Sequence, residues 1–186
     1  MKKCVLWILS LLLLTGCHRA SKELEMSMQL RSRILQSSHC GYTTDITADY
    51  GDQICHFTVD CTADGSGNVS FIVTEPTSIS GISGRLTGEG GQLIFDDLAL
   101  HFPLMADGLL SPISAPWILN RALRSGFLKS ACAEDGGTHL SIEDQYENDS
   151  LFLDVWLDPE GKPSHADILH EGRRILTMTV RKFEIS

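Results

Sequence analysis

Residues 42–61 read YTTDITADYGDQICHFTVDC. Apolar and polar side chains alternate on both sides of the pair Gly51-Asp52, and a period of two is that of a β-strand with one buried face. Glycine at the first position of a two-residue turn suits a type II′ β-hairpin. The stretch therefore predicts two antiparallel strands, in a register that sets Tyr42 opposite Cys61.

The same alternation returns along the rest of the chain, in segments that are bounded by glycine, proline and acidic residues. These segments are 69–74, 79–87, 92–95, 98–102, 127–132, 138–142, 151–157, 163–170 and 174–183. Strands that are joined by such short turns pair antiparallel in sequence order. We therefore expect a mainly β protein (α+β) whose strands form an antiparallel meander, in which residues 143–150 form an acidic loop.

Two segments depart from the strand pattern. Residues 23–37 carry apolar side chains at steps of three and four without proline or glycine, which predicts an amphipathic helix before the sheet. Residues 103–126 form an insert between strands. Its first part is apolar and proline-rich with no fixed period, which predicts a long ordered loop. Its second part predicts a helix with Pro116 in the first turn and Gly126 at the end.

The N-terminal segment indicates export. Lys2 and Lys3 precede an apolar run that ends at Leu14-Thr15-Gly16-Cys17, which is the order of parts in a secretory signal peptide. The run is shorter than the roughly 20 residues that span a bilayer. Its ending resembles the bacterial lipobox, which implies that residues 1–16 are removed and that Cys17 carries diacylglyceryl and palmitate groups. We expect a protein anchored by lipid on the extracytoplasmic face of the cell membrane.

The length of the chain indicates the number of domains, and its charge excludes some classes of partner. The remaining chain is long enough for one domain with a real core, so we expect a lipidated tether over 17–22 and a single domain over 23–186. The formal net charge is −9, and cleavage would make it more negative by two. Binding to nucleic acid or to anionic lipid needs a basic face, so we expect no nucleic-acid partner and membrane contact through the anchor alone.

Four cysteines follow Cys17, namely Cys40, Cys55, Cys61 and Cys132. An exported domain meets conditions that permit disulfides, and we predict at least one, Cys40–Cys61. The hairpin register sets these two on a diagonal, at about 7–8 Å between Cα atoms. This slightly exceeds the usual limit of about 6.8 Å, so a bulge is required. Cys61–Cys132 stays open, because the sequence does not show which strand lies beside Cys61.

The side chains that could bind a metal or act in catalysis are scattered along the sequence. His165 and His170 lie five apart in one strand segment, so they point to opposite faces and are expected on the surface. The carboxylates of the acidic loop lack the glycine and the spacing of a calcium loop. Ser66 lies between two glycines in a hairpin turn and not in a strand-to-helix elbow. We therefore expect no catalysis, no metal and no cofactor.

The order of elements and two strings carry a resemblance to a known family. The strings are FIVTEP at 71–76, which leads into Gly81-Ile82, and LDVWLDPEGKP at 153–163, which continues to residue 183. They resemble the LolA/LolB lipoprotein-carrier superfamily, which includes mycobacterial lipid-binding and clostridial germination lipoproteins. The resemblance implies a curved antiparallel sheet that forms a half-open barrel. It also implies an N-terminal helix and an inserted helix on the concave side, with the insert 103–126 as a lid.

The insert is more apolar than a loop in solvent needs to be. Its side chains either form ordinary core beneath the loop or line a groove for a ligand or partner. The residues of the candidate groove are Phe102, Leu104, Met105, Leu109, Leu110 and Trp117.

Two functions fit these observations. We favour a membrane-anchored, non-catalytic module that binds a protein partner at the cell envelope, as the resemblance to germination lipoproteins implies. The alternative is a carrier-like protein that binds a lipid or an acyl chain. A cavity of several hundred Å³ would favour the lipid. A filled barrel with an exposed apolar patch or a free strand edge would favour the protein partner.

Overall fold

The computed structural model describes residues 21–96, 98–106, 109–146 and 149–186. The predicted signal peptide, Cys17 and most of the predicted tether lie outside the described residues, as does Glu147 of the predicted acidic loop. Of the helices within these four ranges, none is long and apolar enough to cross a membrane.

Two helices and thirteen strands make up the described chain. The helices are α1 (Lys22–Gln36) and α2 (Ala115–Ser125), and a 3₁₀ turn at Pro112–Ser114 leads into α2. The strands are β1 (His39–Asp49), β2 (Ile54–Asp64), β3 (Val69–Glu75), β4 (Ser83–Thr87), β5 (Gly90–Phe95), β6 (Leu98–Phe102), β7 (Met105–Ala106), β8 (Leu109–Leu110), β9 (Phe127–Glu134), β10 (Gly137–Tyr146), β11 (Asp149–Leu157), β12 (Pro163–His170) and β13 (Arg173–Ile185).

Both helices begin and end close to where the sequence predicts. The side-chain oxygen of Ser21 accepts a hydrogen bond from the N–H of Leu24 at 3.2 Å and caps the start of α1. Two glutamates in its first turn interact favourably with the helix dipole. The N–H of Gly126 donates to Ala122 O at 2.9 Å and closes α2. Local signals therefore determine the limits of these helices.

Eleven strands form one antiparallel sheet that is curved and not closed. Their order is β6-β5-β4-β3-β2-β1-β13-β12-β11-β10-β9, so all neighbours but β1 and β13 are consecutive in the chain. β6 and β9 are the two edge strands, and β7 and β8 pair only with each other. This confirms a mainly β fold with a half-open sheet and two helices.

The first hairpin has the predicted register. Tyr42 lies opposite Cys61, and Asp49 lies opposite Ile54. Gly51 has a φ of +93°, which is the backbone conformation that the first central position of a type II′ turn requires. The turn therefore sets the pairing along the whole length of both strands.

Two segments differ from prediction. The first part of the insert is not a single loop, since it contains the β7–β8 ribbon and the 3₁₀ turn. The acidic loop is mostly strand, because β10 runs on to Tyr146 and β11 already begins at Asp149. Pairing with the neighbouring strands satisfies the backbone hydrogen-bonding groups of this polar segment. The composition of the segment does not predict this pairing.

The predicted disulfide is not formed in the structure, where Cys40, Cys55, Cys61 and Cys132 are all free. Cys40 lies opposite Ala63 and Cys61 lies opposite Tyr42, so the two thiols are on the diagonal that the register predicts. The strand beside Cys61 is β3, through Phe71. Cys132 lies on the edge strand β9, so Cys61–Cys132 is excluded.

One face of the sheet forms the core. Tyr42, Cys61 and Phe71 lie opposite one another on adjacent strands and are all buried. The next strand places Gly84 opposite Phe71. A Cβ on Gly84 would lie 2.7 Å from the Phe71 ring, so the glycine permits a close approach. We call this side of the sheet the inner face.

Candidate functional site

The helices cover the inner face unevenly. α1 packs on β9 and β10, and α2 packs on α1, β2, β3 and β10. Between the helices and the sheet lies a cavity of only about 10 Å³, lined by residues that include Arg31, Leu123 and Ile142. A volume of this size holds at most a single water molecule. Side chains therefore fill the space at this point, whereas a larger pocket of about 230 Å³ lies between the start of α1 and the β9–β10 hairpin.

Hydrogen bonds at the C-terminal end of α2 hold this helix on the inner face of the sheet. Arg31 of α1 donates from Nε to Leu123 O at 2.9 Å and from an η nitrogen to Gly126 O at 2.7 Å. Arg124 donates to Gly65 O at 2.7 Å, in the turn between β2 and β3. These arginines pair with carbonyl groups that the helix end and the turn would otherwise leave without a partner. The insert is tied to two other elements and does not rest loosely on the sheet.

Side chains on the body of α2 add to this attachment. Asn120 donates to Gly67 O at 3.1 Å. Arg121 lies 3.2 Å from the carboxylate of Asp144 on β10. The hydroxyl of Tyr42 donates to Pro116 O at 2.9 Å, and burial raises the pKa of Tyr42 well above its ordinary value. The start of α2 is thus held by the same buried side chain that lies opposite Cys61.

The structure divides the six residues of the candidate groove. Four of them are buried core, namely Leu104, Met105, Leu110 and Trp117. Phe102 is half-buried, and its ring fills the space above Gly91, where a Cβ would lie 2.1 Å away. Leu109 is exposed and lines a pocket of about 470 Å³ between the first hairpin and the insert. The insert therefore contributes mainly to the core.

Beside the insert, the apolar inner face continues without cover. Leu93 and Leu100 lie opposite each other on β5 and β6, as do Phe95 and Leu98, and Leu93 lies opposite Gly84 of the inner face. Leu98 is 75% exposed, Leu100 63% and Phe95 52%. We call Leu93, Phe95, Leu98 and Leu100 the open apolar face. A contiguous exposed apolar surface of this kind is typical of an interaction site.

The two edges of the sheet differ in charge. β6 reads LALHF and contains no aspartate, glutamate, lysine or arginine. β9 reads FLKSACAE, with Lys129 and Glu134, and α1 packs against it. Charged side chains and covering helices are devices by which proteins prevent an edge strand from pairing with another chain. Of the edges of the described sheet, β9 has both and β6 has neither.

A pocket lies close to the uncharged edge. Its volume is about 520 Å³, and it is lined by the ends of β4, β5 and β6, including Arg85, Glu89, His101 and Phe102. Of the polar side chains in it, Arg85 already pairs with Asp64 at 2.9 Å. Arg85 and His101 alternate along their strands with residues of the inner face and therefore point to the other side of the sheet. The pocket lies at the same edge as the open apolar face but mainly on the opposite side of the sheet.

Three sets of residues were placed differently or missed by the sequence analysis. His165 and His170 do lie on opposite faces, but His170 is buried rather than on the surface. The sequence predicts β6, but not that its apolar side chains stay uncovered. A third set, Cys132, Glu134 and His139, offers ligand atoms that all lie within 4.8 Å of one another, although no metal was expected.

The cysteines fall into two groups. Cys40 and Cys61 are buried, and burial raises the pKa of the Cys40 thiol to about 11 and that of the Cys61 thiol still further. Cys55 and Cys132 are exposed. Since the thiolate is the reactive form, the two buried thiols are poor nucleophiles and poor metal ligands.

No family model and no curated protein matches the sequence. Solved structures with a similar fold do exist. A LolA superfamily protein from Nitrosomonas europaea superposes with a TM-score of 0.48 at 9% identity, over 86% of this chain and 93% of that chain. The lipoprotein LppX from Mycobacterium tuberculosis superposes with a TM-score of 0.40 at 13% identity, over 87% and 92%.

A third similar structure is a chain of the complex between the CwlD amidase and the GerS lipoprotein from Clostridioides difficile. It superposes with a TM-score of 0.43 at 15% identity, over 89% of this chain and 97% of that chain. The similar structures thus include the superfamily that the sequence resembles. At these identities the likeness is one of architecture and does not extend to a ligand or a partner.

Proposed function

We propose that this protein is an anchored lipoprotein of the cell envelope that works by binding a protein partner and not by catalysis. The partner would dock on the open apolar face and pair with the free edge of β6. The observation that carries the proposal is the continuity of these two features. The exposed side chains Leu98 and Leu100 belong to the strand whose backbone edge is free.

The chemistry of the surface indicates what kind of segment would fit. An extended segment that adds to β6 gains backbone hydrogen bonds along five residues. Alternate side chains of that segment would lie next to Leu98 and Leu100 on the inner side. We therefore expect a partner that presents an exposed strand or an extended stretch with apolar side chains at every second position.

The filled interior supports a protein partner over an acyl chain. An acyl chain would need a long enclosed cavity, whereas the cavity between α1, α2 and the sheet measures about 10 Å³ and the pocket at the start of α1 about 230 Å³. The helix that would have to move away is held by Arg31, Asn120 and Arg124. Opening such a hollow would break these hydrogen bonds and expose core side chains.

Site-specific photocrosslinking in the native organism tests the proposal. A photoreactive residue at Leu98 or Leu100 should give a specific protein adduct, which mass spectrometry identifies. The control position is Ile54, which is 69% exposed but lies on β2, away from the open apolar face. The purified partner should then bind the wild type and lose at least about 30-fold in affinity to Leu100→Asp, the loss expected on removal of an apolar anchor.

Melting temperature separates loss of binding from loss of fold. Both Leu100→Asp and Ile54→Asp change exposed positions, so each should melt within a few degrees of the wild type. Two results would overturn the proposal. One is a Leu100→Asp variant that binds the partner as tightly as the wild type. The other is a stoichiometric lipid in organic extracts of the purified protein that Leu100→Asp no longer retains.

A further inference from the structure

A second group of functional side chains lies on the outer face of the sheet, at the opposite edge from β6. The hairpin β9–β10 turns at Asp135-Gly136, and both residues have a positive φ, of 46° and 82°. This is a type I′ turn, which fixes the register of the two strands. Cys132 consequently lies opposite His139, and Glu134, two residues along β9, shares the same face.

The three side chains converge on one point. Nδ1 of His139 lies 3.8 Å from Sγ of Cys132 and 3.5 Å from a carboxylate oxygen of Glu134. A tetrahedral Zn²⁺ with bonds of roughly 2.0 Å to nitrogen and 2.3 Å to sulfur holds those two atoms roughly 3.5 Å apart. The distance from Nδ1 to Sγ therefore matches such an ion to within a few tenths of an ångström, and all three ligand atoms lie within 4.8 Å of one another.

The imidazole is held in the orientation and tautomer that metal binding needs. Nε2 of His139 lies 3.1 Å from Oδ1 of Asp154 on β11. A carboxylate can only accept, so in a metal-bound state Nε2 keeps its proton toward Asp154 and Nδ1 gives its lone pair to the ion. The ring also stacks on Trp156, with 4.8 Å between ring centroids. A carboxylate behind the histidine is the usual second partner of a metal-binding imidazole.

We infer that Cys132, Glu134 and His139 bind a divalent transition-metal ion of the Zn²⁺ class. A thiolate, a carboxylate and an imidazole are the three kinds of side chain that Zn²⁺ accepts in proteins. Binding releases the thiol proton of Cys132 to solvent, and Asp154 acts as a positioning residue through His139. Three protein ligands leave a fourth position open, which takes water in the isolated protein.

Titration of the purified, metal-free protein with Co²⁺ and Zn²⁺ tests this inference. Co²⁺ should saturate at one ion per chain and show the thiolate-to-cobalt charge-transfer absorption, and Zn²⁺ should displace it. Cys132→Ser should remove this absorption. Asp154→Asn should keep it but weaken Zn²⁺ binding about 10- to 100-fold, as loss of the carboxylate behind a metal-binding histidine does. The control is Cys55→Ser, which removes the other exposed thiol among the residues that the structure describes and should change neither result.

Circular dichroism and melting without metal identify any variant that fails to fold. The effect of Zn²⁺ on the melting temperature gives an independent readout, since an ion that binds the folded state raises it. It should rise for the wild type and for Cys55→Ser, and not for Cys132→Ser. Three outcomes would overturn the inference: no saturable binding by the wild type, an unchanged absorption in Cys132→Ser, or its loss in Cys55→Ser. None of these readouts depends on β6 or on a protein partner.

Discussion

At the scale of the residue, Asp144 shows how burial and pairing compete. Its side chain is 9% exposed and lies 3.2 Å from Arg121 of α2. Burial, which disfavours the carboxylate, raises the pKa of Asp144 above its ordinary 3.8 despite the opposing charge of Arg121 and a hydrogen bond from the N–H of Gln145. The ion pair therefore compensates only part of the cost of desolvation.

The direction of this pKa shift predicts how stability depends on pH. Between 3.8 and the raised value the folded chain binds more protons at Asp144 than the unfolded chain does. The contribution of Asp144 to the free energy of unfolding therefore falls as the pH rises through this window. Asp144→Asn should remove this dependence, and it should be neutral or slightly stabilising at pH 7.

Urea unfolding of the wild type and of Asp144→Asn over the acid range measures this effect. Other carboxylates titrate in both proteins, so the difference between the two curves isolates Asp144. On acidification toward 3.8, the wild type should gain stability relative to the variant. A wild type that loses stability relative to Asp144→Asn over this range would show that the pairing with Arg121 outweighs burial.

At the scale of the element, α2 depends on contacts outside itself. It has eleven residues, and a helix of that length is marginal in water. Arg31 supplies two short hydrogen bonds to its last carbonyls, where a positive charge also interacts favourably with the helix dipole. The stability of the helix is therefore shared with α1.

We expect Arg31→Met to lower the free energy of unfolding by roughly 3 kcal/mol, because hydrogen bonds from charged groups contribute about 1.5–3 kcal/mol each. Methionine keeps the apolar stem, so the loss measures the guanidinium. The matched control is Arg33→Met on the exposed side of the same helix, which should change stability by less than about 0.5 kcal/mol. Equal effects of the two variants on urea unfolding would contradict the assigned role of Arg31.

At the scale of the whole molecule, the sheet has two unlike edges. The edge strand β6 carries exposed apolar side chains and no charged residue. The edge strand β9 carries charged residues and, on its outer face, the candidate metal site. α1, which packs against β9, follows directly from the tether. The anchor predicted at Cys17 would therefore join the domain on the side of the sheet opposite to the open apolar face, so that it would not cover that face.

We expect membrane attachment to depend on Cys17. Replacement of Cys17 by alanine should remove the site of diacylglyceryl attachment and move the protein from the membrane fraction to the soluble or secreted fraction. An acyl chain contributes about 0.8 kcal/mol for each buried methylene, whereas the acidic domain offers no basic face for anionic lipid. Quantitative sedimentation of Cys17→Ala with membranes would show that something else holds the protein there.

The sequence by itself determined the features that depend on local interactions. Turn residues fix a hairpin register, so Gly51-Asp52 sets Tyr42 opposite Cys61. In the same way the turn at Asp135-Gly136 sets Cys132 opposite His139. The proposed ligands Cys132 and His139 are seven residues apart in the sequence, and only the pairing of β9 with β10 shows that they lie side by side. Helix limits and the mainly β class were equally predictable, because caps and periodicity act within a few residues.

Only the tertiary structure decided which apolar residues are covered. Leu104 and Leu110 are buried and Leu98 and Leu100 are exposed, although all four are leucines in neighbouring segments. One cause is the pairing of β1 with β13, which makes β6 and β9 the edges of the sheet. The other is the position of α2, which packs on β2, β3 and β10 rather than on β5 and β6. Burial depends on contacts between residues far apart in sequence, and no local pattern of hydrophobicity specifies those contacts.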